Sequence, residues 1–277
     1  MIGTRRTFIG TLVAGFTLGT GPIRAGAIIT DTMGLEAGEV SVAVADGHIP
    51  GYRARPAGRK HAPVILVVQE IFGVHEFIRD VCRRLAKQGY YAIAPALYAR
   101  YGDPAKYDVD HIQQLIADVV SKVPDNEVMS DLDSAVSFAK SEGADTGKLG
   151  ITGFCWGGRV VWLYAAHNPQ LTAGVAWYGP LRGTPSELHP KSAIELAPTI
   201  HAPILGNYGG KDMGIPPADI AALRDALAKG GNTRSRIDVF ENSQHGFFAD
   251  YRASYNEADA KIAWQHALAW FADNGMK

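Results

Sequence analysis

Apolar residues along the chain fall into two kinds of run, and their order predicts an α/β fold. Short β-branched or apolar runs bounded by Gly, Pro or Asp predict strands over 40–45, 51–55, 64–69, 90–94, 148–152, 173–178, 203–208 and 236–240. Apolar residues at helical spacing predict helices over 76–88, 111–123, 127–141, 159–167, 217–229 and 255–272. The first two strands are expected to pair through a turn at Asp46-Gly47. The run from Val64 is apolar without alternation, as a strand buried on both faces is. Strands separated by helices of this length predict a mostly parallel central sheet with helices on both faces. In such a sheet a site gathers at the carboxyl ends of the strands.

Composition narrows this little. With 277 residues, 47% hydrophobic and 20% charged, the chain is globular in make-up, and one α/β domain is the expected organisation. A net charge of −1 gives no electrostatic case for nucleic acid. The amino-terminal segment does change the picture. Paired Arg5 and Arg6 precede a weakly apolar, glycine-rich stretch, and Ala25-Gly26-Ala27 offers small residues for a signal peptidase. This pattern predicts a twin-arginine-type signal peptide over 1–27, export by the Tat machinery, and a periplasmic or secreted protein of residues 28–277. An amphipathic tail is the alternative. Removing 1–27 takes three of 27 basic and none of 28 acidic side chains, for a net −4. No remaining stretch is long and apolar enough to span a membrane.

Export would place two cysteines, Cys82 and Cys155, in an oxidising compartment, and their pairing is possible by count. Cys82 shares an apolar helical face with Phe77, Ile78, Val81 and Leu85, which makes it a core residue and leaves Cys155 as the reactive thiol. Gly153-Phe154-Cys155-Trp156-Gly157-Gly158 fits the nucleophile elbow G-x-S-x-G with cysteine in the serine position. Glycines suit a sharp strand-to-helix bend, and the helix N-terminus turns its N–H groups toward the sulfur. The bland alternative is a structural cysteine among glycines. Asp212 follows the strand 203–208 and His245 follows 236–240, so nucleophile, acid and histidine come in α/β-hydrolase order. In that reading Cys155 attacks a carbonyl, His245 carries protons and Asp212 orients the imidazole. Asp212 could equally cap the helix at Pro216-Pro217, and His245 could be a solvated loop residue. There is no metal-ligand spacing, dinucleotide motif or phosphate loop, so neither metal nor cofactor is expected.

Five motifs in order carry a family resemblance. They are Gln69-Glu70-Ile71-Phe72-Gly73, Leu97-Tyr98-Ala99-Arg100, the cysteine elbow, Gly209-Gly210-Lys211-Asp212 and His245-Gly246-Phe247. Together they resemble the dienelactone hydrolase family (carboxymethylenebutenolidases) from about Val40 to the last helix. The resemblance implies an α/β-hydrolase fold with no large lid domain and a Cys155–His245–Asp212 triad. It further implies that Glu70 contacts the thiol and that the N–H groups of Ile71 and Trp156 form the oxyanion hole. Arg100, with Tyr98 in the same motif, would bind a substrate carboxylate. The family's second arginine falls where this chain has Ala249; Arg252 stands three residues on and is the candidate replacement.

Three functions follow. The first is a cysteine hydrolase of small lactones or esters, with a substrate that carries negative charge. The second is an exported carboxylesterase or thioesterase of unrelated substrate. The third is a non-catalytic binding or sensing protein that uses Cys155 as an oxidisable thiol.

Overall fold

The apolar runs close into a single eight-stranded sheet in a computed structural model, which describes residues 27–277. The signal peptide expected over 1–27 lies, except for its last residue, outside the described residues. Strands β1 (Leu35–Val44) and β2 (Gly47–Pro56) form an antiparallel hairpin, longer than the sequence pattern predicts and with its turn one residue earlier. β2 also runs antiparallel to β4 (Tyr91–Pro95). β3 (Pro63–Val68), β5 (Asp145–Phe154), β6 (Ala173–Trp177), β7 (Ile204–Gly209) and β8 (Arg236–Phe240) complete the sheet in parallel, in the order β1-β2-β4-β3-β5-β6-β7-β8.

That order puts the first candidate residues side by side. After β3 the chain crosses through α1 (Glu76–Lys87) to β4 on one side of it, and later returns to lay β5 on its other side. From β5 it crosses through α4 (Trp156–His167) in the opposite direction to β6. Right-handed crossovers in opposite directions place α1 and α4 on opposite faces of the sheet. The chain ends that leave β3 and β5 diverge above a crevice at this switch point. Glu70 leaves β3 there, and Cys155 leaves β5.

The remaining helices are α2 (Ile112–Asp118), α3 (Asp125–Ser141), α5 (Ala193–Leu196), α6 (Pro217–Lys229) and α7 (Glu257–Asp273). The helix predicted over 111–123 is broken into two 3-10 turns around α2, Val109–His111 and Val120–Lys122. Asp108 caps its start through Asp110 and His111 N–H, and Val119 leaves helical geometry at φ −125°, ψ −66°. Helix α5, in a stretch where the hydrophobic pattern predicts no helix, is set by a reciprocal capping box between Ser192 and Glu195. Every residue of β3 is buried, as its unbroken apolar run requires. Cys82 is fully buried on α1, and burial pushes its thiol far above the ordinary range.

Candidate active site

The bend at Cys155 is one only glycines could frame. A Cβ on Gly153 would lie 2.3 Å from the Gly157 carbonyl oxygen, and one on Gly157 would lie 2.5 Å from that of Gln69. Cys155 itself takes φ 55°, ψ −118°, a left-handed conformation that costs a side-chain-bearing residue about 1–3 kcal/mol. Hydrogen bonds hold it there. Its N–H donates to the Trp177 carbonyl at 3.0 Å, and its carbonyl accepts from Gly158 and Arg159 N–H at 2.9 and 3.3 Å. The cysteine is half-buried and opens α4, whose first free N–H is that of Trp156. The N–H of Ile71 makes none of the hydrogen bonds among the described residues.

The loops after β7 and β8 bring Asp212 and His245 together. Asp212 Oδ2 lies 2.7 Å from His245 Nδ1, while its Oδ1 accepts from Gly214 N–H at 2.9 Å. Pro216, not Asp212, occupies the cap of α6. The Asp212 side chain is buried and the imidazole one-third exposed. Burial pulls the imidazole down, but hydrogen bonding to Asp212 and to Cys155, with the charges on both, outweighs it and raises His245 to about 10. At neutral pH the ring therefore holds a proton beside the sulfur. Tyr178, at φ 38°, places its ring edge-on to His245 with centroids 5.1 Å apart.

Glu70 is fully buried, and three side chains converge on it. Arg252 Nη2 donates to Oε1 at 3.0 Å, the Tyr251 hydroxyl donates to Oε2, and His75 Nε2 lies 3.3 Å from Oε2. Burial alone would push this carboxyl up; the Arg252 charge, then His75 and Tyr251, bring it down to about 2. Tyr251 and His75 carried no functional motif in the sequence, although Tyr251 stands beside the displaced arginine. Arg252 thus reaches the Glu70 region despite its three-residue offset, because residues 246–252 form a tight turn. In that turn Ala249 N–H bonds the Gly246 carbonyl at 3.0 Å and Arg252 N–H bonds the Ala249 carbonyl at 2.9 Å.

Two residues of the L-Y-A-R motif part company. Tyr98 is buried against Trp156, ring centroids 5.0 Å apart, with its hydroxyl lacking a well-directed hydrogen bond. Arg100, the expected partner of a substrate carboxylate, has its guanidinium engaged within the protein. It is bonded to Asp46 at 2.7 Å, to Asp131 at 2.8 and 3.1 Å and to Glu127 at 3.3 Å. An arginine saturated by three carboxylates fastens the β1–β2 turn to α3. Arg100→Ala should therefore leave buried Asp131 without its partner and lower the melting temperature. Its effects on charged and neutral esters should be equal; a loss confined to carboxylated substrates would restore the binding role. Beside Trp156 a cavity of about 250 Å³ opens between Ile116, Val120, Pro185, His189 and Lys191.

A strained residue between strand and helix, with histidine and acid delivered by the last two strands, defines an α/β-hydrolase. Comparison with known proteins narrows the class. Residues 49–275 match the family model described as "Dienelactone hydrolase family". A Methylorubrum extorquens protein described as "Putative carboxymethylenebutenolidase" is 54% identical over 276 residues, covering 99% of this chain and 94% of that one. The Pseudomonas putida "Carboxymethylenebutenolidase" is 28% identical over 235 residues, covering 84% and 95%. A crystal structure from Klebsiella pneumoniae, described as a "Putative Dienelactone Hydrolase", superposes with a TM-score of 0.82 at 52% identity, covering 86% of this chain and 98% of that one. The chain belongs to the dienelactone hydrolase family, and it is a hydrolase of carboxylic ester bonds. The reading of Cys155 as the thiol of a non-catalytic sensor gives way to that assignment.

Proposed function

We propose that the protein hydrolyses small lactones or esters through a Cys155–His245–Asp212 triad and a covalent acyl-enzyme. The observation that carries this is the strained Cys155 elbow facing an imidazole whose far nitrogen is held by Asp212 at 2.7 Å. With its proton held on His245, the Cys155 thiolate attacks the ester carbonyl, and the N–H groups of Ile71 and Trp156 receive the oxyanion. Protonated His245 gives its proton to the leaving oxygen as the C–O bond breaks, leaving a thioester on Cys155. His245, now neutral, takes a proton from water; the hydroxide attacks the thioester, and the acid product leaves with Cys155 regenerated. In a lactone the leaving oxygen stays tethered to the acyl chain.

Arg252 is the cation for a substrate carboxylate in this proposal, and Tyr98 packs behind Trp156, the second oxyanion donor. The engagement of Arg100 by three carboxylates favours, as a second reading, a carboxylesterase indifferent to substrate charge. A panel of nitrophenyl esters, short alkyl esters and an unsaturated carboxylated lactone tests both. The first reading expects the lactone to show the highest kcat/KM, with all turnover abolished by thiol alkylation. A preference for neutral esters would leave only the second, and turnover surviving alkylation would sink the thiol mechanism.

We further propose that residues 1–27 export the folded protein through the Tat machinery to the periplasm or beyond. Its mature N-terminus, read by mass spectrometry, should fall near Ile28. Arg5→Lys with Arg6→Lys should hold the protein in the cytoplasm; an intact, cytoplasmic wild type starting at Met1 would refute export.

A further inference from the structure

The first described residues lie on a ledge of charged side chains behind the Glu70 cluster. Ile28 N–H donates to Asp250 Oδ2 at 3.3 Å. Thr30 N–H donates to Asp80 Oδ1 at 2.6 Å, and Arg83 Nε donates to the Thr30 carbonyl at 2.8 Å. Arg84 bridges Asp80 and Asp250, at 2.5 Å to each, and Arg83 bonds Asp80 at 3.0 Å and also Glu76. Three carboxylates, Glu76, Asp80 and Asp250, thus share two guanidiniums. The Glu76 side chain is 41% exposed, but those of Asp80 and Asp250 are 2% and 3% exposed, so how well each is bonded counts for stability. Other charges near the ledge are already matched, Lys87 with Asp31 and Lys261 with Glu257. Burial holds the Tyr255 phenol above its ordinary range, so it carries no charge at physiological pH, and the Tyr52 hydroxyl accepts from Arg83.

We propose that the α-ammonium of Ile28, created when the signal peptide is cut after Ala27, gives Asp250 a second cationic partner beside Arg84 and serves as a positioning group for Tyr251 and Arg252. This rests on the export reading. A signal peptidase hydrolyses the Ala27–Ile28 peptide bond with one water: Ala27 leaves as a carboxylate, and the Ile28 amine takes up a proton. The nitrogen need not travel, since it already sits on Asp250; a neutral N–H becomes a cationic donor, and charge-assisted bonds are roughly twice as strong as neutral ones. Asp250 precedes the two residues that hold Glu70, within the turn over residues 246–252. Fixing Asp250 therefore fixes the Glu70 clamp.

Three forms with defined N-termini test the proposal: one starting at Ile28, one extended by Gly26-Ala27, and one starting at Nα-acetylated Ile28. At pH 7 the Ile28 form should melt about 2–4 °C above the others, the shift typical of about 1 kcal/mol in a chain of this size. An ammonium stabilised by a carboxylate contributes fully below its ordinary pKa of about 8 and is lost as pH rises through its elevated native value. The melting gap should close on that alkaline side, and kcat of the Ile28 form alone should gain a matching alkaline limb. Asp250→Asn should erase the differences among the three forms; should that variant not fold, the acetylated form still isolates the single charge. Identical melting and pH profiles for free and acetylated Ile28 would overturn the proposal. Exported protein found to begin elsewhere would overturn the cleavage site, and with it the role of this group in the cell, whatever the three forms show.

Discussion

Cys155→Ala protein should fold, melt close to the wild type and hydrolyse esters roughly four to six orders of magnitude more slowly, the usual loss when a triad nucleophile is removed. Alanine and cysteine meet the same restriction at φ 55°, so the substitution does not alter backbone strain, and it leaves the tight contacts of Gly153 and Gly157 untouched. The loss should therefore fall on turnover. Cys82→Ala provides the control. Its thiol is buried in α1, so the change should cost roughly 1 kcal/mol of stability and leave kcat unchanged. Nitrophenyl ester kinetics and circular dichroism read both. A Cys155→Ala enzyme with wild-type kcat would remove the assignment of the nucleophile.

The second large effect concerns the buried carboxylate of Glu70. Arg252→Ala leaves Glu70 fully buried with only Tyr251 and His75 as partners, and breaking a buried pair in this way costs about 3–5 kcal/mol. That corresponds to a fall in melting temperature of roughly 6–20 °C. The pH dependence distinguishes this cause from lost packing. In the wild type Glu70 lies at about 2, below its ordinary 4.5, so it contributes stability above pH 4.5 that is lost as pH falls toward 2. Without Arg252 the lowering charge is gone, burial raises the carboxyl, and protonation removes the penalty. The deficit of Arg252→Ala should therefore be greatest near pH 7 and shrink as pH falls toward 5. Adding Glu70→Gln should recover part of it. Thermal melts at several pH values decide; a deficit independent of pH would mean that Arg252 acts through its aliphatic stem alone.

Much of this was legible in the sequence, for identifiable reasons. Strands such as 64–69 are buried on both faces, so their residue pattern has one reading, and they sit where predicted. The elbow was legible because only glycine fits beside it. Asp212 and His245 were legible because the loops after late parallel strands converge. The ion pairs of Arg100 were not, because its motif records where a guanidinium starts and not which carboxylates surround it; Asp46, Glu127 and Asp131 come from segments far apart in sequence. Arg252 was ambiguous for the converse reason. A turn closed by backbone hydrogen bonds moves a side chain further than three sequence positions suggest. The break at Val119 and the short helix α5 depended on local capping that a hydrophobic pattern does not report.

The torsion at residue 155 also bears on how this enzyme can decay. Glycine is the one residue that adopts φ 55° without penalty, so Cys155→Gly should relax the backbone while abolishing the chemistry. At this position the more stable chain and the working chain differ. A lineage that no longer needed the reaction would meet no stability barrier to losing its nucleophile and would keep an intact, inert fold. On the proposed mechanism, the cysteine occupies that torsion for turnover and not for stability.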